Sequence, residues 1–210
     1  MRTRYTYAFP RPSVTATIAL LVELDAPEKV GAIIGTRGKA DGAYAGFECI
    51  PGGFLDAKVD TNDVEIEIQR HAYMSIGEVE ENGTNVAELF EDYDIPFEEG
   101  KEAEAFNKPG ETIEQTAIRE VLEETGLTIT EDDLHLYHVH SNPNTDPRAH
   151  VVNICYFVVL SPEIAATAVA GDDLSAIEVK QFELFDNVGT MAFNHADLLI
   201  RAIEHYFKAR

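Results

Sequence analysis

Runs of apolar residues along the chain predict a small set of strands and two helices. Five runs rich in β-branched and aliphatic residues predict strands over residues 14–24, 30–36, 134–140, 151–160 and 177–182. A weaker run over residues 44–50 predicts a short strand that ends at a Pro-Gly-Gly sequence. One helix is predicted over residues 111–125, and apolar residues at helical spacing predict another over 192–208. The apolar stretches are too short to span a bilayer, so we expect no membrane-spanning segment.

Residues 57–108 differ from the rest of the chain in their polarity. They carry 15 acidic and 4 basic residues, a net charge of −11, which is half the formal charge of the whole chain. Residues 64–69 alternate between apolar and polar side chains, as in a strand, and residues 85–93 could form a short helix. We interpret this segment as an inserted, solvated acidic subdomain, with a plain acidic loop as the alternative.

The composition narrows the classes of function. The chain has 210 residues, 45% of them apolar, which suits one domain with a hydrophobic core. Its formal net charge of −22 repels phosphate backbones and argues against a general nucleic-acid binder. An anionic substrate would therefore need a divalent cation or a few well-placed arginines. Cys49 and Cys155 lie far apart in apolar surroundings, so we expect buried free thiols and a cytoplasmic protein.

The predicted helix over residues 111–125 concentrates carboxylates on one side. Glu120, Glu123 and Glu124 fall within an arc of about 100°, next to the apolar arc, which Glu114 interrupts. Three carboxylates at this spacing repel one another by a few tenths of a kcal/mol per pair, and Arg119 is the local counter-charge. An ordinary solvated acidic face would explain the pattern. A site for Mg²⁺, which prefers carboxylate and phosphate oxygens, would also explain it.

The residues of this helix resemble a known motif. The sequence Arg-Glu-Val-Leu-Glu-Glu-Thr-Gly-Leu over residues 119–127 is similar to the second half of the Nudix box, and Glu111 stands where that box has a further glutamate. The glycine expected six positions earlier is replaced by Ala105. A matching start, Pro-Gly-Gly-Phe-Leu-Asp, occurs instead at residues 51–56. We therefore expect that residues 57–108 are inserted inside the box.

The resemblance extends over most of residues 4–56 and 109–210. The segments that resemble the ADP-ribose pyrophosphatase branch of the Nudix family are residues 11–15, 146–152, 170–178 and 192–196. The resemblance implies an α/β fold, a Nudix-type α/β/α sandwich around a mixed sheet, in one domain over residues 1–210 with the acidic subdomain inserted. It also implies hydrolysis of a nucleoside diphosphate linked to another moiety. We expect ADP-ribose as substrate, with AMP and ribose 5-phosphate as products.

The resemblance assigns roles to particular residues. It implies that Mg²⁺, or alternatively Mn²⁺, is held by carboxylates that neutralise the diphosphate and activate water. The metal-binding candidates are the carbonyl of Gly52 and the side chains of Glu120, Glu123 and Glu124. The catalytic candidates are Glu120, Glu123, Asp172 and Asp173. The two aspartates are the candidate general bases, with Glu120 as an alternative base and a simple turn as the alternative role of the aspartates.

The remaining predictions concern support, substrate and partners. Glu111 and Arg119 are expected to orient the helix and the glycine loop. Arg37 and Arg148 could each meet a substrate phosphate, or could be ordinary surface arginines. We expect a small-molecule nucleotide as partner, with neither nucleic acid nor a membrane, and leave a homodimer open. The alternatives are a Nudix hydrolase of a dinucleotide, nucleotide sugar or damaged nucleoside triphosphate, and a non-catalytic sensor of an NAD-derived ligand.

Overall fold

A computed structural model of the chain describes residues 12–38, 43–56, 110–171 and 173–210. The contacts divide the chain into two units, and residues 12–55 with 112–210 form the unit that contains every strand and helix given below. The described residues of the other unit are Asp56, Gly110 and Glu111. The acidic subdomain predicted for residues 57–108 lies outside the described residues.

The described strands form one mixed sheet built around β1. They are β1 (Ser13–Glu23), β2 (Lys29–Arg37), β3 (Glu48–Cys49), β4 (Gly52–Phe54), β5 (His135–His140), β6 (Val151–Leu160) and β7 (Leu174–Glu183). The order is β3-β2-β1-β6-β5, with β4 also paired to β1 and β7 also paired to β2. Strands β1 and β6 run parallel, whereas the other pairs are antiparallel. This arrangement confirms the predicted mixed sheet.

Strands β1 and β2 diverge, and the fork between them positions the glycine strand β4. Strand β1 pairs with β2 near its end, where Leu21 lies opposite Ala32, and with β4 near its start, where Thr17 lies opposite Gly52. Strand β6 occupies the other edge of β1 along ten residue pairs. Strands β2 and β4 therefore share one edge of β1, and β3 pairs with the far part of β2 at Gly35.

Two long helices cover opposite faces of the sheet and complete the sandwich. The described helices are α1 (Ile113–Thr125), the short α2 (Pro162–Ala165) and α3 (His195–Ala209), and residues Glu131–Asp133 form a 3₁₀ turn. Helix α1 packs Ala117 and Val121 against the even-numbered side chains of β1. Helix α3 packs against the odd-numbered side chains of β1 through residues spaced three and four apart. They are Leu198, Leu199, Ala202, Ile203 and Tyr206. The α/β/α sandwich predicted from the resemblance is confirmed.

Helix α1 begins and ends at local signals in the sequence. The hydroxyl of Thr112 accepts a hydrogen bond from the backbone N–H of Gln115 (3.2 Å), and the Gln115 side chain accepts from the backbone N–H of Thr112 (2.9 Å). This capping box satisfies N–H groups that the helix leaves unpaired. At the other end Gly126 adopts the left-handed conformation (φ 69°) and donates to the carbonyl of Leu122. Gly126 thus ends the helix at residue 125, where the sequence predicted its end.

Two predicted elements are shorter than expected, for backbone reasons. The strand predicted over residues 44–50 is reduced to Glu48–Cys49, because Tyr44 (φ 60°) and Gly46 (φ 77°) form a left-handed turn that cannot continue a strand. The closing helix starts at His195 rather than at residue 192, because Phe193 is also left-handed (φ 51°). Strand β4 was not predicted, since its glycines favour a loop.

The two cysteines agree with a further expectation. Cys49 and Cys155 are free and buried, and burial raises the pKa of each thiol to about 12. Such thiols remain protonated near neutral pH. Across the described ranges we find no helix that is both long enough and apolar enough to cross a membrane.

Candidate active site

Helix α1, the box helix, places two of its three clustered carboxylates in the interior. Glu120 and Glu124 are 8% and 5% exposed, whereas 47% of the Glu123 side chain is exposed. Residues four apart lie on the same helix face, so Glu120 and Glu124 both face β4, while Glu123 lies at the solvent-exposed rim of this carboxylate cluster. The predicted trio therefore consists of an inner pair and an outer member.

The two glycines of β4 let the backbone approach this inner pair. A Cβ atom on Gly53 would overlap the carboxyl group of Glu120, whose Oε2 would be 2.5 Å away. A Cβ atom on Gly52 would strike the backbone carbonyl of Ala16. The N–H of Gly52 also donates to Oε2 of Glu124 (3.2 Å). Glycine is required at position 52 because a side chain would meet the backbone of β1, whereas a side chain at position 53 would displace the Glu120 carboxyl group.

Arg119 connects the box helix to β4. Its Nη1 donates to Glu120 Oε1 (2.6 Å) and to Glu123 Oε2 (3.0 Å), and its Nη2 donates to the carbonyl of Phe54 (3.0 Å). The planar guanidinium is suited to this fixed set of acceptors. The sequence indicated the pair with Glu123 but not the contacts with Glu120 and Phe54. These contacts agree with a supporting role for Arg119, which stays a prediction.

The environment of Glu124 disfavours its charged form. Burial raises the pKa of Glu124 to about 8, and the neighbouring Glu120 carboxylate adds to the shift. The Gly52 N–H and Arg37 oppose the shift, and Asp173 contributes to it. Two buried carboxylates side by side destabilise each other's ionised form unless a cation compensates.

The loop before β7 brings Asp173 close to the box helix. The N–H groups of Val169 and Gly171 donate to the carbonyls of Thr125 (2.9 Å) and Glu124 (3.0 Å), which the end of α1 leaves unpaired. A Cβ atom on Gly171 would strike the carbonyl of Glu123. This close approach explains why Asp173 acts electrostatically on Glu124. The other predicted base, Asp172, lies outside the described residues.

Glu111 lies at the point where the chain returns to the box. Its backbone N–H donates to the carbonyl of Asp56 (3.1 Å), and its Oε1 accepts from the backbone N–H of Asp56 (2.9 Å). The residues that flank the predicted insertion are therefore paired with each other, as expected for an insertion that leaves and re-enters at neighbouring points. The domain boundaries themselves stay a prediction.

The two predicted substrate-binding arginines, Arg37 and Arg148, meet at one aromatic ring. The Cζ atoms of Arg37 and Arg148 lie 5.5 and 5.1 Å from the ring centroid of Phe193, and Arg148 is also 5.3 Å from that of Phe54. The ring of Tyr44 lies 4.6 Å from that of Phe193. We call the rings of Tyr44, Phe54 and Phe193 the aromatic shelf. Sequence reasoning missed the shelf, because no local pattern links three rings so far apart in the chain.

Both arginines are held in place by oxygen acceptors. Asp146 accepts two hydrogen bonds from Arg148, from Nε to Oδ1 (3.0 Å) and from Nη2 to Oδ2 (2.7 Å). Burial opposes ionisation of Asp146, yet the hydrogen bonds from Arg148 lower its pKa below the ordinary value. Nε of Arg37 donates to the carbonyl of Ala43 (3.0 Å). The guanidinium groups are therefore oriented before any ligand binds.

The carboxylates are not gathered into a ready metal site. In residues 12–38, 43–56, 110–171 and 173–210, no three His, Cys, Asp or Glu side chains are placed to hold a metal ion together. Arg119 draws the carboxylates of Glu120 and Glu123 toward itself. The donor set of the inner pair nevertheless suits a hard divalent cation, because carboxylate oxygens are its preferred ligands and its charge would relieve the repulsion at Glu124.

The comparisons with known proteins agree with this geometry. A family model of the NUDIX domain matches residues 106–201. An ADP-ribose pyrophosphatase of Methanocaldococcus jannaschii is 37% identical over 97 residues, which are 45% of this chain and 51% of that protein. The chain therefore spans about half the length of this curated relative.

Solved structures show the same fold. A MutT/nudix family protein from Enterococcus faecalis aligns with a TM-score of 0.60 at 18% identity, covering 98% of this chain and 66% of that chain. The NUDIX domain of Shewanella oneidensis NrtR, solved with ADP ribose, aligns with a TM-score of 0.57 at 19% identity. The alignment covers 95% of this chain and 91% of that chain. In the matched domain, in the box residues on α1 and in its fold, this chain is therefore similar to proteins of the Nudix family.

Proposed function

We propose that this chain is a Nudix pyrophosphohydrolase that cleaves ADP-ribose to AMP and ribose 5-phosphate. The observation that carries the proposal is the buried pair Glu120 and Glu124, held against the glycine strand and tied to it by Arg119. Burying two adjacent carboxylates lowers the free energy of unfolding, and a bound divalent cation would offset that cost. Such pairs are therefore typical of functional sites.

Two comparisons support ADP-ribose over other nucleotides. The relative from M. jannaschii is an ADP-ribose pyrophosphatase, and the domain of NrtR was solved with ADP ribose. The arginines at the aromatic shelf offer positive charge in a chain whose formal charge is −22. A diphosphate would otherwise be repelled by such a surface.

The proposed cofactor is Mg²⁺, with Mn²⁺ as an alternative. Glu120 and Glu124, with Glu123 at the rim and the carbonyl of Gly52, would hold it, because hard divalent cations favour oxygen donors of this kind. When bound, the cation supplies positive charge to the diphosphate and makes a water molecule more acidic.

The other roles follow from the positions of the side chains. Arg119 donates hydrogen bonds to Glu120 and Glu123 and to the carbonyl of Phe54, which fixes the position of the box helix beside β4. A general base must lie within hydrogen-bond reach of the attacking water, directly or through one further water. Asp173, on the loop that docks on the end of α1, is our candidate base, with Asp172 beside it in the sequence and Glu120 as the alternative.

A panel of substrates tests the proposal. ADP-ribose, a dinucleotide, a nucleotide sugar and an oxidised nucleoside triphosphate would each be incubated with Mg²⁺ or with excess chelator, and the products identified by mass spectrometry. We expect AMP and ribose 5-phosphate from ADP-ribose in the presence of Mg²⁺, and no products in excess chelator. Preferred cleavage of another compound would reassign the substrate. Tight binding of ADP-ribose without cleavage would favour the sensor.

A further inference from the structure

The sheet ends at two edge strands that differ in charge. Across the described ranges β5 pairs with β6 alone and β7 pairs with β2 alone, so within that part of the chain each strand has an open edge. Strand β7 carries Glu178, Lys180 and Glu183, and charged side chains are a common protection of an edge against pairing with another chain. Strand β5 has the sequence His-Leu-Tyr-His-Val-His, without an acidic residue, lysine or arginine. The edge of β5 therefore lacks the protection that β7 has.

A bulge in β5 places two exposed apolar side chains on one face of the sheet. The register with β6 shifts between Leu136 and His138, so that Leu136 lies opposite Tyr156 and Val139 lies opposite Ile154. In a regular strand, residues three apart would point to opposite faces. The side chains of Leu136 and Val139 are 60% and 50% exposed. The open edge of β5 thus presents an apolar pair to solvent, which favours pairing with another strand.

The charges around β5 favour a second copy of this chain as the partner. The formal charge of the chain is −22, yet residues 134–145 contain no acidic residue, lysine or arginine. On α3, Asp197 and Arg201 act electrostatically on His138 of β5, and they form an ion pair with each other (2.8 Å) that adds no net charge. Repulsion between two copies is therefore small at this edge. A basic partner would instead be recognised by acidic side chains, which β5 lacks.

The geometry of an edge strand also suits a second copy. Two identical strands that pair antiparallel are related by a two-fold axis, so each copy offers the same surface to the other. Strands of six residues paired in this way share about six backbone hydrogen bonds along about 20 Å. An interface of this length is at the small end of specific interfaces, so the dimer should dissociate in the micromolar range.

We propose that this chain forms a homodimer in which the β5 strands of two copies pair antiparallel and cover Leu136 and Val139. The sheet then continues from one copy into the other. The proposal does not rest on the proposed function, because Glu120 and Glu124 face β4, which lies on the opposite edge of β1 from β6 and β5.

Sedimentation velocity tests the interface with a matched pair of variants. Val139→Lys and Val179→Lys each add one positive charge at an exposed valine of an edge strand, on β5 and on β7. The wild type and both variants would be compared from about 1 to 200 µM at about pH 8, where most histidines are neutral. We expect the wild type and Val179→Lys to reach twice the chain mass, and Val139→Lys to dimerise at least about ten-fold more weakly. A wild type of single-chain mass throughout, or equal dissociation constants in the two variants, would overturn the proposal.

Hydrogen exchange provides a second test on the unmodified chain, so it does not depend on the folding of a variant. Deuterium uptake of peptides from β5 and β7 would be followed by mass spectrometry at the lowest and highest of these concentrations. Pairing of two copies should slow exchange in β5 by about ten-fold or more at high concentration, and leave β7 unchanged. A dimer with unchanged exchange in β5, or with new protection in β7 alone, would place the interface elsewhere and refute the proposal.

Discussion

The substitution Gly53→Ala tests the packing of the glycine strand on the box helix. The new Cβ atom would overlap all three atoms of the Glu120 carboxyl group, the farthest of which, Oε2, is at 2.5 Å, whereas ordinary contact begins at 3.4 Å. The carboxyl group would therefore have to retreat by about 1 Å or more and weaken its 2.6 Å bond to Arg119. We expect a loss of roughly 1–3 kcal/mol in the free energy of unfolding. A displacement of this size in a catalytic group can lower kcat about 100-fold.

A double-mutant cycle with Glu120→Ala isolates the cause. Urea unfolding would be measured for both single variants and for the double variant, with Mg²⁺ removed. Because Glu120→Ala clears the space that the new methyl group needs, Gly53→Ala should be less destabilising in that background by about 1 kcal/mol or more. An equal cost in both backgrounds, or wild-type activity in Gly53→Ala, would refute the packing described for Glu120.

Two further predictions concern the rest of the fold. His195 is buried, its Nδ1 accepts from the N–H of Ile50 (3.2 Å), and burial lowers its pKa to about 3. As the pH falls, the imidazole of residue 195 is therefore protonated in the unfolded chain before it is protonated in the folded one. The free energy of unfolding should consequently fall by about 1.4 kcal/mol when the pH is lowered from 7.5 to 5.5. His195→Gln, which keeps an acceptor but does not titrate, should lose that part of the pH dependence in urea melts; an identical dependence would contradict the assignment. Replacing residues 57–108 by a short Gly-containing linker should leave a cooperative thermal transition, because Asp56 and Glu111 are paired. A trimmed chain that fails to fold would show that the segment belongs to the core.

The box helix could be predicted because its signals are local. The positions of its carboxylates and of Gly126 follow from helical geometry and from a short motif. The residues that contact this helix could not be predicted in the same way, because Arg119 bonds to Phe54, which is 65 positions away in the chain. Glu114, which interrupts the apolar arc in sequence, is explained by Tyr156, whose hydroxyl donates to Glu114 Oε1 (3.0 Å). Such a polar residue is understood only when the sheet brings its partner to it.

The errors in the predicted elements lie beside the candidate site. The apolar residues at positions 44–50 favour a strand, and those at 192–194 favour a helix, yet left-handed Tyr44 and Phe193 interrupt both. Local propensity cannot anticipate strain that is sustained by tertiary contacts. The aromatic shelf was missed for the same reason, because its rings come together only when β3, β4 and the start of α3 are in place.

The most direct test of the account is the rate of ADP-ribose cleavage by Glu124→Gln at saturating Mg²⁺. This substitution keeps an acceptor for the Gly52 N–H but removes a buried carboxylate. The matched control is Asp132→Asn, on the exposed 3₁₀ turn. We predict that kcat falls more than about 100-fold in Glu124→Gln and stays at the wild-type value in the control, with both variants folded. Wild-type kcat in Glu124→Gln, or full activity of the wild type in excess chelator, would contradict the claim that the buried carboxylates hold a catalytic cation.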